Sequence, residues 1–487
     1  MNDPIRRLSV VALAMFLALM VAASWIQFVQ ADSLNSHPAN TRALYRQFGA
    51  FRGPFVVSGE SVVYSVPVDD PFNYQRTYAN GPLYAHTTGF FSIGPGLSGL
   101  EYTENTLLNG SADSLFWTRL GDLFAGRSQR GASVELTLDA TLQAVADAAL
   151  GDQRGAVVAL DPATGAILAM VSHPTFDPAA LAVHSSSEAN REYQALLADQ
   201  TDPLINRAIG GDTYPPGSTF KLIVAAAALE SGYTPDTLLY APTQLPLPGS
   251  SASIGNYGGA ACSADDQLSL TDSLRISCNT AFAGLGMGLG WGVIERSAHN
   301  FGWGDSLTIP LGVTPSRLPT DPDDPQVAQS SIGQFDVRTT PLQMALVAAA
   351  IGNNGTMMRP YLVQSTRSPD LQLLSQTEPE VWHQATSATV AAQLTDMMVA
   401  VVDSGTGSAA RIGGVRVAGK TGTAETGLGT PPHAWFVGFA PATHPAIAIA
   451  VVVENGGNAG ESATGGGVAA PIAKAVMEAR LTELGLS

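Results

Sequence analysis

Ser218 and Lys221 stand three residues apart in Tyr214-Pro215-Pro216-Gly217-Ser218-Thr219-Phe220-Lys221, and such a pair could make a nucleophile. A serine hydroxyl attacks well only with a base beside it, and a neutral lysine amine is one such base. Positions i and i+3 share a helix face, so the amine would lie within reach of the hydroxyl. Two further polar clusters occur later in the chain, Ser277-Cys278-Asn279 and Lys420-Thr421-Gly422-Thr423. Each is weak evidence alone. A helix N-cap serine followed by a surface lysine would read the same way as the first.

The surrounding pattern decides how these residues are held. Pro215 and Pro216 fix φ and forbid helix upstream, and Gly217 permits an unusual backbone angle. The residues from Ser218 to about Ser231 favour helix, with Gly232 as its stop. Gly155–Leu160 and Ala166–Val171, around Asp161-Pro162-Ala163-Thr164-Gly165, read as a buried hairpin that opens the main domain. Thr340-Pro341-Leu342-Gln343-Met344-Ala345 starts a helix with proline in its first turn. Ala434–Phe439 and Ala446–Val453 read as strands, and a Gly-rich loop from Gly456 to Gly467 leads to a closing helix, Ala469 to about Leu484. Strands at both ends of a helical middle predict an α+β domain with helices on the faces of a sheet.

Composition narrows the field. The chain has 487 residues, 45% of them apolar and 13% charged, which suits two or three folded domains. Its net charge of −17 argues against a nucleic-acid partner. Arg6 and Arg7 precede an uncharged apolar run, Leu8–Val29, long enough as a helix to cross a hydrocarbon core of about 30 Å. The arginines would keep residues 1–7 in the cytoplasm and export the rest. A retained anchor over residues 8–29 is expected. A signal peptide cleaved near Val29-Gln30-Ala31 is the alternative, though the run exceeds an ordinary signal core. Residues 32–152 hold short β-like runs, such as Ser61–Val66, separated by turn signals, and no catalytic constellation. They are expected to form a spacer or docking module, with the main domain at 153–487. Cys262 and Cys278 are the two cysteines. With no C-x-x-C or Cys/His cluster, a zinc site is not expected. A disulfide or two buried thiols would both fit.

Gly414–Thr421 formally matches a G-x-x-x-x-G-K-T phosphate loop. The match fails on context, because Val415-Arg416-Val417-Ala418 is strand-like and no helix start follows. No G-x-S-x-G elbow and no H-E-x-x-H motif occur, and His433 reads as structural. What remains is the order S-x-x-K, S-x-N, K-T-G in an exported chain, the set shared by penicillin-recognising acyl-transfer enzymes.

On these residues the chain resembles the class B penicillin-binding proteins, of the actinobacterial PbpA type. The resemblance extends over nearly everything beyond the anchor. It includes Asn40-Thr41-Arg42, Arg52-Gly53-Pro54, Asn80–Ala85, Gly99-Leu100-Glu101 and Leu108-Asn109-Gly110 in the N-terminal region. In the main domain it includes Val134–Asp139, Tyr214–Lys221, Ile332-Gly333-Gln334 and Trp435–Pro441. Ser58-Gly59-Glu60-Ser61 departs from it, where many members carry Asp-Arg-x-Gly. The implied fold is an antiparallel sheet flanked by helices, with an all-helical subdomain, a β-rich N-terminal pedestal and a transmembrane helix.

The resemblance implies a D,D-transpeptidase that cross-links peptidoglycan in growth or division and binds penicillin covalently. Ser218 would attack the carbonyl between the terminal D-alanines of a stem peptide, with Lys221 taking its proton. Ser277 would relay protons, and Asn279 would hold the peptide amide and orient Lys221. The backbone N–H groups of Ser218 and Thr423 would form the oxyanion hole. Lys420 with the Thr421 and Thr423 hydroxyls, beside Gly422, would receive the substrate carboxylate. No cofactor or metal is called for. The N-terminal region is too short for a fused glycosyltransferase, so an FtsW/RodA-type membrane polymerase is the expected partner. A β-lactamase shares the three motifs, but such enzymes are normally compact, cleaved and soluble. Cys262 and Cys278 are expected to be joined, bracing the S-x-N loop.

Overall fold

The computed structural model describes residues 2–30, 48–427 and 429–486. Asn40-Thr41-Arg42 and Ala31 lie outside the described residues. Helix α1 (Asn2–Ser24) continues through a turn at Trp25–Val29, and no side chain of this apolar segment is buried. The N-terminal module contributes β1 (Phe55–Val57), β2 (Glu60–Pro67), β3 (Tyr74–Tyr78), helix α2 (Phe116–Phe124) and β4 (Ser133–Leu136). Helix α3 (Ala140–Leu150) and the hairpin β5 (Gly155–Leu160) and β6 (Ile167–His173) come next. The helical middle includes α4 (Lys221–Glu230), α5 (Asn279–Leu289) and α6 (Pro341–Gly352). After it come β7 (Val363–Arg367), β8 (Leu373–Gln376) and α7 (Ala388–Ser404). The chain closes with β9 (Ala418–Ala424), β10 (His433–Ala440), β11 (Ile447–Val453) and α8 (Ala470–Glu483).

The main domain is built on an antiparallel sheet of order β9-β10-β11-β5-β6. The adjacent strands β11 and β5 are apolar and buried at every position, as strands covered on both faces are. The period of two sends Ala448, Ala450 and Val452 into one core with α4 and α6. Ile449, Val451 and Val453 enter a second core with α3 and α8. Helix α6 is buried along its length from Pro341 to Ile351, which explains an apolar run with no polar face.

The two modules share a sheet. Strands β7 and β8 join the N-terminal strands in the order β8-β7-β4-β1-β2-β3. Helix α3 packs on α8 and β6, on the main-domain side. The change of packing falls between Leu136 and Ala140. Short helices accompany the strands of the module.

Two of the N-terminal motifs have a common cause. Arg52 Nη2 and Arg76 Nε bind the two oxygens of Glu101 at 2.7 and 2.6 Å, all three residues being buried. Burial alone would raise the Glu101 carboxyl, but Arg76 and Arg52 outweigh it and hold the group below the usual range. At Ser58-Gly59 the hairpin between β1 and β2 turns through two residues of positive φ, the geometry that matches strand twist.

Candidate active site

The segment before Ser218 is clamped from three sides. Tyr214 exchanges two backbone hydrogen bonds with Thr339, each 2.8 Å. Trp435 Nε1 donates to the Pro215 carbonyl at 3.1 Å. Glu454, at the end of β11, accepts from the Tyr214 hydroxyl at 2.6 Å and pairs with Arg207 and Arg154 at 2.8 and 2.5 Å. Gly217 takes φ +53°, and a Cβ there would press on the Thr423 carbonyl at 2.9 Å. Its N–H donates to the carbonyl of Gly333, itself at φ +74° with no room for a side chain against Gly217. That contact gives Ile332-Gly333-Gln334 its physical reason.

Ser218 occupies a 3₁₀ turn, Gly217–Phe220, and the α-helix begins only at Lys221. The expected α-helical start at Ser218 is therefore corrected by one tight turn, which the Pro-Pro-Gly entry and its clamps impose. Ser218 is half-buried, and among the described residues its hydroxyl makes no hydrogen bond.

Lys221 is fully buried. Its Nζ donates to the Ser277 carbonyl at 2.8 Å, to Ser277 Oγ at 3.3 Å and to Asn279 Oδ1 at 2.8 Å. Lys420 reaches the same hydroxyl from the opposite side, Nζ to Ser277 Oγ at 2.9 Å, and also the Thr421 carbonyl at 2.8 Å. Burial, and then the charge of Lys420, push the Lys221 amine well below its ordinary range. Burial alone lowers Lys420 to about 7.

Ser277 holds φ +63°, a backbone angle a non-glycine residue rarely adopts. Asn256 helps to fix the residues just after it. Its Oδ1 accepts from the backbone N–H of Asn279 at 2.9 Å and of Thr280 at 3.1 Å, supplying partners to the first turn of α5. Asn279 Nδ2 in turn donates to the Gly255 carbonyl at 3.2 Å. The disulfide Cys262–Cys278 ties the same loop to the residue preceding Asn279. Replacing both cysteines by serine is expected to lower stability by about 3 kcal/mol for a closed loop of this length. It should also slow labelling by a fluorescent penicillin. A thermal midpoint that is unchanged in the double variant would refute this.

Strand β9 is the edge of the sheet. Ala418, Lys420, Gly422 and Ala424 have one parity, and Ala418 and Ala424 enter the core shared with α4. Gly422 must be glycine, because a Cβ would meet the Pro216 carbonyl at 2.9 Å and Gly465 packs against its backbone. The Thr421 hydroxyl is bonded to Thr406 at 2.6 Å and nearly buried, while Thr423 is more open. Sequence reasoning missed Asn256, Thr406, Glu454 and Gly465. Only Gly465 left a signal, as one glycine of a loop. His433 accepts from the Asn455 N–H at 3.0 Å and packs edge-on to Tyr214, with burial lowering it to about 4.

The structure thus gathers Lys221, Ser277, Asn279 and Lys420 into one hydrogen-bonded cluster and sets the Ser218 turn against Thr423. Its ionisable groups are amines rather than a histidine and a carboxylate. Reached from a helix start, a loop and a sheet edge, they mark the penicillin-recognising class of serine acyl transferases.

Comparison with known proteins agrees. Residues 155–478 match the penicillin-binding protein transpeptidase domain, and residues 52–134 match the penicillin-binding protein A dimerisation domain. Peptidoglycan D,D-transpeptidase PbpA of Mycolicibacterium smegmatis is 45% identical over 99% of this chain and 100% of its own. The protein of that name from Mycobacterium tuberculosis is 44% identical over 99% of both. The structure of penicillin-binding protein A from M. tuberculosis as a ceftriaxone acyl-enzyme superposes with a TM-score of 0.87, at 44% identity, over 90% of this chain and 100% of that one. Its penicillin G acyl-enzyme gives 0.85 over 89% and 100%. The chain belongs to the penicillin-binding transpeptidases, and within them to the PbpA type.

Proposed function

We propose that this protein is a peptidoglycan D,D-transpeptidase that cross-links stem peptides through a serine acyl-enzyme and is acylated by β-lactams at the same residue. The observation that carries the reading is the pair of buried amines, Lys221 and Lys420, converging on Ser277 Oγ beside the Ser218 turn. Such relatives as the M. tuberculosis acyl-enzymes support it.

Ser218 Oγ attacks the carbonyl between the two terminal D-alanines, and its proton passes to neutral Lys221. The negative charge that develops on the carbonyl oxygen faces the backbone N–H groups of Ser218 and Thr423. A donor in the first turn of a helix suits it. Ser277 passes a proton to the departing amine, and D-alanine leaves. An acceptor amine then attacks the ester, gives up a proton through the same relay, and frees Ser218. Lys420 and Thr423 receive the terminal carboxylate. The Thr421 hydroxyl joins them by turning from Thr406, or acts through its hold on the strand. Asn279 keeps Lys221 aimed and binds the peptide amide.

Helix α1 fits a single-pass anchor that holds the catalytic domain outside the cytoplasmic membrane. A glycan polymerase of the FtsW/RodA type would supply the strands to be linked, meeting this chain at α1 and the N-terminal module. Purified full-length protein given a D-Ala-D-Ala stem peptide and an acceptor amine should release D-alanine and form the acceptor-linked product. Release by hydrolysis alone, with no transfer at saturating acceptor, would overturn the transpeptidase reading.

A further inference from the structure

Helix α2 is built inside out. Phe116, Trp117, Leu120, Leu123 and Phe124 fall on one stripe of the helix, with Thr118, Arg119, Gly121 and Asp122 on the other side. A helix docked on its own protein covers such a stripe. Here Asp122 is buried and paired with Arg127 at 2.8 Å, Thr118 and Arg119 are half-buried, as is Leu120 of the stripe, and Gly121 is exposed. Phe116, Trp117, Leu123 and Phe124 are instead 50, 78, 74 and 84% exposed. The main neighbour of the helix is the single turn that precedes it, Asp113–Leu115. A nine-residue helix with so little support is marginal in water, and a contiguous apolar patch of this kind marks a surface that something covers.

We propose that α2 lies on the membrane surface, with its apolar stripe in the boundary between headgroups and acyl chains. The proposal rests on α1 being a retained anchor. Seventeen residues separate Gln30 from Phe48, where the module begins, and they span at most about 60 Å. The module is therefore tethered near the bilayer, at a high effective concentration for any weak surface contact. Charge points the same way. In a chain of net −17, residues 113–130 carry Arg119, Arg127 and Arg130 against Asp113 and Asp122, a small local excess of positive charge although Arg127 and Arg130 pair with Asp122 and Asp370, and it favours anionic headgroups over neutral ones. Size disfavours a second copy as the cover. The exposed stripe offers on the order of 600 Å² with aromatics at 150–250 Å² each, short of the ~800 Å² per partner of a standard interface. Trp and Phe beside arginine are the residues an interfacial helix uses.

The test uses full-length protein in vesicles of phosphatidylcholine and phosphatidylglycerol with brominated acyl chains, which quench nearby tryptophan. Trp25 in the anchor segment serves as the internal reference. The wild type should show quenching from Trp25 and Trp117, and Trp117→Phe should lose about half of the quenchable emission, one interfacial tryptophan of two. Equal quenching in the two proteins, from Trp25 alone, overturns the proposal and leaves the anchor standing. A cross-linked dimer that Phe124→Asp dissolves, with Trp117 unquenched, also overturns it, in favour of a second copy. No quenching in either protein overturns the anchor reading and this proposal with it.

Discussion

Replacing Ser218 by alanine removes covalent labelling by a fluorescent penicillin and transfer of stem peptide, with losses on the order of 10⁴-fold or more. The size reflects the lack of a substitute nearby. The Thr219 hydroxyl is buried and bonded to the Pro216 carbonyl, and the hydroxyl of Ser277 is already shared between Lys221 and Lys420. The same substitution should leave the fold intact. Ser218 is half-buried, and its hydroxyl makes no hydrogen bond among the described residues, so truncation orphans no partner. The clamps on Tyr214, Pro215 and Gly217 do not involve it. The measurement is labelling stoichiometry by mass spectrometry together with the thermal midpoint. A folded variant that still carries one penicillin per chain at this site would defeat the assignment of Ser218 as nucleophile, and one that has lost its midpoint would defeat the expectation that the fold is unaffected.

The contrast between legible and hidden features has a physical origin. Lys221 three residues after Ser218 is legible because the chemistry needs two groups on one helix face, and that spacing is local. The hairpin β5–β6 and the strands β10 and β11 are legible because apolar runs bounded by turn residues leave little else to form. The pairing of β7 with β4 is not, since Ser365 meets Glu135 across 230 residues and no local pattern announces it. Asn256 is hidden for a related reason. An asparagine in a Gly-rich loop is ordinary until the fold brings its Oδ1 to the first turn of α5. Glu454 illustrates a third case. At the sequence level it is an acidic residue ending an apolar strand, and only the assembled sheet gives it Tyr214, Arg207 and Arg154. The helix start at Ser218 differs from expectation because Pro-Pro-Gly announces a start without distinguishing a 3₁₀ first turn from an α one.

The pH dependence of acylation is set by the two amines, and it separates their roles. Lys221 can accept the Ser218 proton only when neutral, so the reaction needs a pH above its pKa. Lys420 can hold a carboxylate only when cationic, so the reaction needs a pH below its own, about 7. Both amines are buried and their charges repel across Ser277 Oγ, so the two do not stay charged together. With Lys221 in the role of base it is the one that gives up its proton first, and the mechanism then requires a window in which it is neutral and Lys420 is still charged. The second-order rate of penicillin acylation, which reports the free enzyme, should rise as Lys221 deprotonates. It should fall again with a descending limb near pH 7. In Lys420→Arg the guanidinium stays charged throughout this range, so the descending limb disappears even if altered geometry lowers the rate as a whole. Lys221→Ala should lose on the order of 10²–10⁴-fold, the worth of a positioned base. Lys420→Arg retaining the wild-type descending limb would refute the assignment of that limb to Lys420. A wild-type profile flat from about pH 5 to 9 would refute the amine pair as the base and the carboxylate site, because two groups with these surroundings cannot both stay in one protonation state across it.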